Sequence, residues 1–399
     1  MTILPFPPTS LPADPSAAPT KPVTLVHKPV LKVLGLGGGG SNAVNRMIEL
    51  GMQGVDFITA NTDCQALKRS LAPVKIQLGP KLTRGLGAGG NPEVGTAAAE
   101  ESYREIAAAL QGADMVFLTA GMGGGTGTGS ISIAAKISRA LGAVTIAIVT
   151  TPFSFERGRR QSNASEGLAH LRPHTDTLIT IPNDRLLQVV PHNQPLEIAF
   201  RMADDVLRQA VQGITELITE TGMINVDFAH IRHVMKLGGG ALMAIGQGRG
   251  INKALVAIDQ AMHHPLLETA SLDNAAGILV NFTSGEDLTL FELQEAVTNI
   301  KDQAGPQAEI VMGVTTDTRM LDRVQVILII TGLGAISLED TLQGIRLPLQ
   351  SSITSDEASQ SEDDPRMAHA TRSLEYAQPL TTAAGSDNLD LPAFMRRVR

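Results

Sequence analysis

The sequence has few aromatic residues and almost no cysteine. It contains no tryptophan and two tyrosines in 399 residues, and its single cysteine is Cys64. One cysteine excludes internal disulfide bonds and fits a reducing compartment. Because 43% of the residues are nevertheless hydrophobic, the core must consist mainly of aliphatic side chains, as in the buried sheets of α/β proteins.

Long apolar segments and a basic charge balance are missing as well. The longest apolar run, Val324–Ile330, is much shorter than the ~20 residues of a membrane-spanning helix. Residues 1–20 have no basic start and are interrupted by prolines, which is not typical of a signal peptide. A net charge of −8 argues against nucleic acid as a partner. We therefore expect a cytoplasmic protein without direct membrane insertion.

From Val30 onward, apolar strands alternate with helical patterns. The predicted strands are 30–36, 55–60, 114–119 and 143–149, and the predicted helices between them are 41–50, 96–110 and 130–137. This alternation is typical of a mostly parallel, doubly wound sheet.

A long helix with one apolar stripe follows, predicted from about Asp204 to Thr221 and ended by Gly222. Strands at 277–282, 308–313 and 323–331 and a helix at 289–300 then predict a second, smaller α/β domain.

A glycine-rich run, Ala120–Gly129, lies between an apolar strand and an amphipathic helix. A strand, a turn without side chains and a helix start together favour a phosphate site, because bare amides approach the anion and the helix dipole adds about half a positive charge. A flexible hinge is the alternative interpretation.

Two further glycine clusters constrain the ligand. Gly35–Gly40 satisfies G-x-G-x-x-G, and Asp63 could be the acidic residue of a dinucleotide fold, so an NAD-dependent oxidoreductase remains an alternative. Gly85–Pro92 is another glycine-rich loop, and several such loops can surround a triphosphate. The sequence has no G-x-x-x-x-G-K-[ST] motif, so backbone dipoles and Mg²⁺ are expected to neutralise the phosphates.

The segment Gly123–Gly129 is identified as the tubulin signature. From about Leu31 to Leu333, and again at 388–399, the chain resembles the FtsZ family of bacterial tubulin-like cell-division GTPases. The supporting motifs are Asn61–Asp63, Gly87–Gly95, Ile181–Asp184 and Asn225–Ala229. The resemblance implies a tubulin-like α/β fold, in which a Rossmann-like parallel-sheet GTP-binding domain is joined by a long core helix to a smaller α/β domain. It also implies head-to-tail filaments that form the cytokinetic ring at midcell.

The resemblance and the patterning together divide the chain. We expect a disordered N-terminal tail at 1–28, a GTP-binding domain at 29–203, a core helix with the catalytic loop at 204–236, a C-terminal α/β domain at 237–336, a disordered linker at 337–387 and a partner-docking peptide at 388–399.

The resemblance also assigns the GTP contacts. Residues expected near the phosphates are Gly38, Gly39, Asn42, Ala88, Gly89, Gly124, Gly125, Thr126 and Gly127. Glu156 and Arg160 would meet the ribose and phosphates, Asn183 and Asp205 would read the base, and Phe200 would stack on it. A carboxylate suits guanine, which offers N1–H and an exocyclic amine, whereas adenine has no N1 donor. The alternative for Asp205 is a solvated position on the helix.

The loop Asn225–His230 matches the family's catalytic loop, Asn-x-Asp-x-x-Asp, whose carboxylates polarise the attacking water. We expect Asp205 at the start of the helix, which would be roughly 27 Å long at ~1.5 Å per residue, and Asp227 past its end. Asp227 would then act on the nucleotide of the next subunit.

His230 replaces the second carboxylate of the family motif. We therefore predict assembly with GTP but slow hydrolysis, since losing one positioned base costs ~10²–10⁴-fold. One alternative is that Asp227 suffices. Another is a hydrolysis-deficient, GTP-gated structural subunit, or a paralogue that copolymerises with an active form.

The peptide 388–399 resembles the family's docking segment for membrane-tethering and regulatory division proteins. The expected contact residues are Leu389, Leu391, Pro392, Phe394, Met395, Arg396 and Arg397. The histidine pairs His230/His233 and His170/His174 have no neighbouring cysteine, so a transition-metal site is not expected.

Overall fold

The computed structural model describes residues 28–333, apart from 157, 187, 189–194, 221, 268–271 and 273–274. In this part, ten strands form one sheet in the order β3-β2-β1-β4-β5-β6-β7-β10-β8-β9. The strands are β1 (Leu31–Leu36), β2 (Asp56–Asn61), β3 (Val74–Gln77), β4 (Met115–Gly121), β5 (Val144–Thr151), β6 (Thr177–Pro182), β7 (Gly240–Arg249), β8 (Gly277–Ser284), β9 (Glu309–Thr316) and β10 (Arg323–Leu333).

Helices cover both faces of this sheet. They are α1 (Gly37–Glu49), α2 (Cys64–Arg69), α3 (Pro80–Thr83), α4 (Pro92–Glu101), α5 (Tyr103–Leu110), α6 (Thr126–Ala140), α7 (Arg159–Leu171), α8 (Asn183–Leu186), α9 (Leu196–Thr219), α10 (Phe228–Lys236), α11 (Lys253–Met262) and α12 (Leu290–Gln303). None of these described helices is both long and apolar enough to span a membrane.

The strands from β3 to β7 run parallel, as the alternation of strands and helices predicted. β4 and β5 are buried almost throughout, because parallel strands need helices on both faces. Beyond β7 the direction changes, since β10 pairs antiparallel with both β7 and β8. Only two residue pairs, Leu178↔Gly240 and Ile179↔Ala241, join β6 to β7.

Aliphatic side chains fill three clusters. One lies between the sheet and helices α1, α9 and α10, and includes Val211 and Ile214 of α9. A second lies on the opposite face under α5, α6 and α7. A third joins α11 and α12 to the antiparallel strands. The first cluster fixes α9 against α1, and thereby sets how the two ends of α9 lie relative to the sheet.

The long helix α9 differs from its predicted bounds. It begins at Leu196 and ends at Thr219, so the predicted start near Asp204 and the predicted end at Gly222 are wrong. Pro195, with φ −56°, immediately precedes the helix, and proline is well suited to this end because it lacks the amide hydrogen. The apolar stripe extends back to the buried Ala203. At ~1.5 Å per residue the helix is about 36 Å long.

Other helix bounds also differ from expectation. The single helix predicted at 96–110 is broken at Ser102, whose hydroxyl accepts a hydrogen bond from the Gly79 amide (3.0 Å) and donates to the Gln77 carbonyl (3.2 Å). Helices α1 and α6 begin at Gly37 and Thr126, four residues before the predicted starts, because several glycines of the two runs adopt helical geometry.

The predicted tail, linker and docking peptide lie outside the described residues, which start at Lys28 and end at Leu333. The predicted contact residues Leu389–Arg397 are therefore not placed.

Candidate functional site

The glycine-rich loops meet at the carboxyl edge of the parallel strands. β1 runs directly into α1, and β4 runs through the glycine run into α6. Both helices therefore point their amino-terminal ends at the edge where parallel sheets of this kind bind ligands.

Some predicted phosphate residues are glycine because the loops approach one another closely. A Cβ atom added to Gly125 would lie 2.8 Å from the Asn91 nitrogen and 2.9 Å from the Ala88 Cβ. One added to Gly39 or Gly127 would lie 3.0 Å from backbone atoms of Gly121. The contacts at Gly125 are shorter than real Cβ atoms make, and those at Gly39 and Gly127 would force the backbone of Gly121 to shift. These three glycines therefore allow the loops to pack together.

Other predicted phosphate residues face open space. A Cβ atom added to Gly38, Gly89 or Gly124 would meet no atom within 4 Å. Their bare backbones border a space that an anion can enter, which is the arrangement of a backbone phosphate site. Ala88 is 7% exposed and Asn42 is exposed on α1.

Three side chains that were not predicted as site residues connect these loops by hydrogen bonds. Thr62 shares a hydroxyl hydrogen bond of 2.6 Å with Thr126, the first residue of α6. The amide of Asn163 donates to the carbonyls of Gly90 (3.2 Å) and Gly123 (3.3 Å). Thr128 accepts the Gly123 amide at 2.9 Å. Thr62 and Thr128 lie in quoted motifs, but Asn163 carries no sequence signal.

The predicted ribose contacts are paired with each other. Arg160 forms an ion pair with Glu156, whose other oxygen accepts the Phe153 amide at 3.0 Å. The Arg160 side chain is 62% exposed, and its carbonyl would lie 2.7 Å from a Cβ atom on Gly123. This pair therefore lies beside the phosphate loop.

The predicted base contacts include a buried acceptor without a donor. Asn183 is 7% exposed, and its Oδ1 atom is buried with no hydrogen-bond partner among the described residues. Phe200 is exposed and meets Phe153 edge-on at 5.5 Å. A buried carbonyl without a donor costs about 1–3 kcal/mol, so Asn183 is suited to a ligand that donates a hydrogen bond.

Asp205 is the tenth residue of α9, so its predicted position at the helix start is wrong. Its carboxylate accepts hydrogen bonds from Arg208 Nε (2.7 Å) and Gln209 Nε2 (2.6 Å). Burial would raise the pKa of Asp205, but these two bonds and the Arg208 charge outweigh it and lower the pKa. For the neighbouring Asp204, burial raises the pKa to about 7, against the opposing charge of Arg46. One of the two adjacent carboxyls is thus held ionised, and the other holds its proton near neutral pH.

The predicted catalytic loop is anchored by its backbone. The Met223 amide donates to the Val314 carbonyl (2.9 Å), and the Val314 amide donates to Ile224 (3.1 Å). The Asn225 side chain accepts the Gly222 amide at 2.8 Å. The loop is therefore tied to β9 at its start.

Asp227 and His230 lie at the exposed end of that loop. Asp227 precedes α10 without capping it by its side chain, and His230 is the third residue of the helix. Both are exposed, and neither side chain has a hydrogen bond or ion pair with any residue that the structure describes. His233, one turn away, lies 3.3 Å from Glu309.

The two predicted sites lie at different points along α9. The helix continues for fourteen residues from Asp205 to Thr219, which is about 21 Å at ~1.5 Å per residue, and Asp227 follows a further loop. This replaces the predicted length of roughly 27 Å. Of the predicted base residues, Phe200 is linked to the phosphate loop through Phe153 and the Glu156–Arg160 pair. Asn225, Asp227 and His230 lie past the end of α9.

The Asp63 carboxylate caps α2 by accepting the amides of Gln65 (2.7 Å) and Ala66 (3.3 Å). The dinucleotide alternative thereby loses its acidic ribose ligand. Over the described ranges, no three histidine, cysteine, aspartate or glutamate side chains lie together so that they could hold a metal ion.

Comparisons with known proteins identify the same regions. Residues 30–191 match the model of the tubulin/FtsZ family GTPase domain, and residues 239–334 match that of the FtsZ family C-terminal domain. An empty FtsZ dimer from M. jannaschii is 48% identical over 77% of this chain and 89% of its own, with a TM-score of 0.73. A point mutant of FtsZ from M. jannaschii is 48% identical over 77% of this chain and 92% of its own, with a TM-score of 0.74.

More distant structures share the fold. GDP-bound CetZ1 from Haloferax volcanii is 18% identical over 79% of this chain and 98% of its own, with a TM-score of 0.69. The predicted tubulin-like α/β fold with two domains is confirmed. Given the two family models and the identity and coverage of the M. jannaschii structures, the chain belongs to the FtsZ family of tubulin-like GTPases.

Proposed function

We propose that this chain is a cytoplasmic GTP-binding protein that polymerises head to tail into filaments of the cytokinetic ring at midcell. GTP would be hydrolysed at the contact between subunits. The observation that carries this proposal is the separation of two groups of residues along α9. Near the start of α9, Phe200 contacts Phe153, which is bonded to the Glu156–Arg160 pair beside Gly123, and the exposed Asp227 lies past the end of the helix. Each subunit would thus offer two complementary half-sites, and such a heterologous contact propagates without closing.

GTP binding is supported by the open backbones and by the buried acceptor. Gly38, Gly89 and Gly124 leave room for phosphates, and Asn183 Oδ1 needs a donor that a guanine amine supplies. Asp205 would read guanine N1–H through lone pairs not used by Arg208 and Gln209. Mg²⁺ would enter with the phosphates, which supply most of its oxygen ligands.

Hydrolysis would use Asp227 supplied to the next subunit's nucleotide. Its exposed carboxylate lacks a partner among the residues described, so it is free to orient a water for attack on the γ-phosphate. Asn225 would hold the loop through its bond to Gly222. His230 lies one helical turn from Asp227 and offers a nitrogen in place of carboxylate oxygens, so we expect slow turnover.

The second candidate is a hydrolysis-deficient, GTP-gated filament subunit, or a paralogue that copolymerises with an active form. It is favoured by one observation, the histidine at position 230 in place of the second carboxylate of the family motif.

Phosphate release from GTP across protein concentrations, paired with sedimentation, tests both candidates. Phosphate release that begins at a threshold protein concentration and then rises linearly supports assembly-coupled hydrolysis. In that case an Asp227→Ala variant should sediment with GTP but release no phosphate. Sedimentable GTP-bound protein with negligible release supports the second candidate. A protein that neither binds GTP nor sediments contradicts both.

We also propose the domain boundaries given above, with the peptide 388–399 recruiting membrane-tethering and regulatory division proteins. Deletion of 388–399 should spare assembly, and a truncated chain that cannot polymerise would contradict this role.

A further inference from the structure

The C-terminal domain contains a cleft far along the chain from the nucleotide loops. It lies between the loop Gly250–Asn252 and helix α12, with a volume of about 980 Å³. Neither of these segments belongs to the predicted nucleotide site or to the catalytic loop.

Two large apolar side chains line this cleft without being buried. Ile251 is 91% exposed and Phe291 is 84% exposed, and the adjacent Leu290 is 77% exposed. Single exposed apolar residues are common, but a group beside a cleft indicates a contact surface.

The lining is also acidic. Lys253 is its one basic residue among those described, and its ammonium group is already used by Asp287 (3.2 Å) and Glu292 (3.5 Å). Glu295, Asp302 and Asp322 also line the cleft, and none of the three forms an ion pair with another described residue. An occupant should therefore be both apolar and cationic.

One end of the chain has this chemistry. Residues 388–399 read NLDLPAFMRRVR, and combine Phe394 and Met395 with three nearby arginines, Arg396, Arg397 and Arg399. The 54 residues 334–387 connect this segment to the end of β10. A flexible chain of 54 residues has an end-to-end distance of about 40 Å.

We propose that the cleft between Gly250–Asn252 and α12 binds the peptide 388–399 of this chain. Phe394 and Met395 would pack against Ile251 and Phe291, and the arginines would meet Glu295, Asp302 and Asp322. The docked peptide would be withheld from other partners, so release from the cleft would control its recruitment. This inference does not depend on GTP hydrolysis.

The test is a fluorescence anisotropy titration of a labelled 388–399 peptide, without nucleotide. The titrant is the full chain carrying Arg396→Glu, Arg397→Glu and Arg399→Glu, so that its own peptide does not compete. Binding should be saturable and should weaken with salt. Adding Glu295→Lys and Asp302→Lys to that chain should weaken it at least tenfold, because attraction becomes repulsion.

A matched control variant makes the same change in net charge at two positions outside the cleft. Glu100→Lys and Glu105→Lys alter two exposed acids of α4 and α5, and should change affinity by less than twofold once salt is physiological. A peptide with its arginines changed to glutamate should bind a Glu295→Lys/Asp302→Lys chain better than it binds the chain that keeps these acids. In this comparison both chains keep their own arginines, so that the lysines of the altered cleft repel the chain's own peptide.

Equal affinity of the cleft and control variants would overturn the proposal, as would the absence of saturable binding. Loss of assembly in the cleft variants without any peptide binding would instead assign the cleft to a second copy of the folded domain. Phe291→Ser, which truncates an exposed side chain, tests the apolar half and should weaken binding several-fold with an unchanged melting temperature.

Discussion

The predicted nucleotide residues and the loop after α9 differ in how their polar side chains are satisfied. Glu156 is paired with Arg160, and Asp205, near the middle of α9, is paired with Arg208 and Gln209. In the loop after α9, Asp227 and His230 are exposed and have no partner in the described part of the chain. The first group is held by partners in its own subunit, whereas the second is open to the contact with a neighbouring subunit that we propose.

Asp227→Ala gives the largest effect expected from this difference. Removing a positioned base should lower the rate of phosphate release by ~10²–10⁴-fold. GTP affinity should not change, because Asp227 is proposed to act on the nucleotide of the next subunit. Phosphate release and equilibrium GTP binding measured on the same preparation check this. A loss of GTP affinity as large as the loss of rate would mean that Asp227 acts within its own subunit.

His230→Asp should act in the opposite direction. It adds a carboxylate one turn from Asp227, so the rate of GTP hydrolysis in the assembled state should rise by ~10²-fold or more. The measurement is the slope of phosphate release against polymer concentration. His230→Asn, which adds no carboxylate, is the control. Equal slopes for His230→Asp and the unaltered chain would show that Asp227 suffices.

Substitutions at two neighbouring glycines, Gly124 and Gly125, should distinguish an effect on GTP binding from an effect on packing. An added methyl at Gly125 meets Asn91 and Ala88 below 3 Å, whereas one at Gly124 meets open space. Gly125→Ala should therefore destabilise the fold by about 1–3 kcal/mol. Gly124→Ala should leave the melting temperature nearly unchanged, and should weaken GTP binding about tenfold because the methyl occupies phosphate space.

Thermal unfolding and GTP titration of both variants check this pair. If Gly124→Ala bound GTP as the unaltered chain does, the open glycines would not border the phosphates.

The substitution Asp204→Asn has the smallest expected effect, and the property that it changes is the stability of the fold. The folded pKa of Asp204, about 7, lies above the unfolded value of 3.8, so the folded state keeps a proton that the unfolded state has released. The free energy of unfolding contributed by this group should therefore fall as the pH rises from about 4 to 7, and then level off. Asp204→Asn keeps the side chain neutral, so its gain over the unaltered chain should grow across this window.

The full shift of about three pKa units corresponds to about 4 kcal/mol. Because Asp204 keeps some contact with water, we expect a gain of about 1–2 kcal/mol at pH 8 and less at pH 5. Urea unfolding at the two pH values measures it, with the exposed Asp302→Asn as control. An equal gain at both pH values would contradict a buried, protonated Asp204.

Much of the fold and part of the site followed from local sequence. Apolar runs such as 114–119 and 143–149 predicted β4 and β5, because a strand buried on both faces needs apolar residues at every position. The glycine run predicted a turn between strand and helix, because only residues without side chains allow such close backbone approach.

The errors occurred where distant contacts override local preference. Nothing in the helical pattern of 96–110 indicates a break, yet Ser102 bonds to the backbone of Gln77 and Gly79. The predicted start of α9 was too late because its first eight residues, LEIAFRMA, are apolar on most sides and show no single stripe. The stripe becomes visible only where Val206 and Leu207 follow Ala203.

The sequence by itself determined seven of the ten strands that the structure describes, the glycine-rich turns and the family, because these depend on side-chain size and polarity over a few consecutive residues. It did not indicate β3, β6 or β7. Tertiary structure alone decided that Asn163 ties Gly90 to Gly123, and that Thr62 meets Thr126 across 64 positions of the chain. It also decided which glycines pack and which face open space. The physical reason is that hydrogen bonds and contact distances between remote segments depend on how the sheet brings its strand ends together, which no short stretch of sequence encodes.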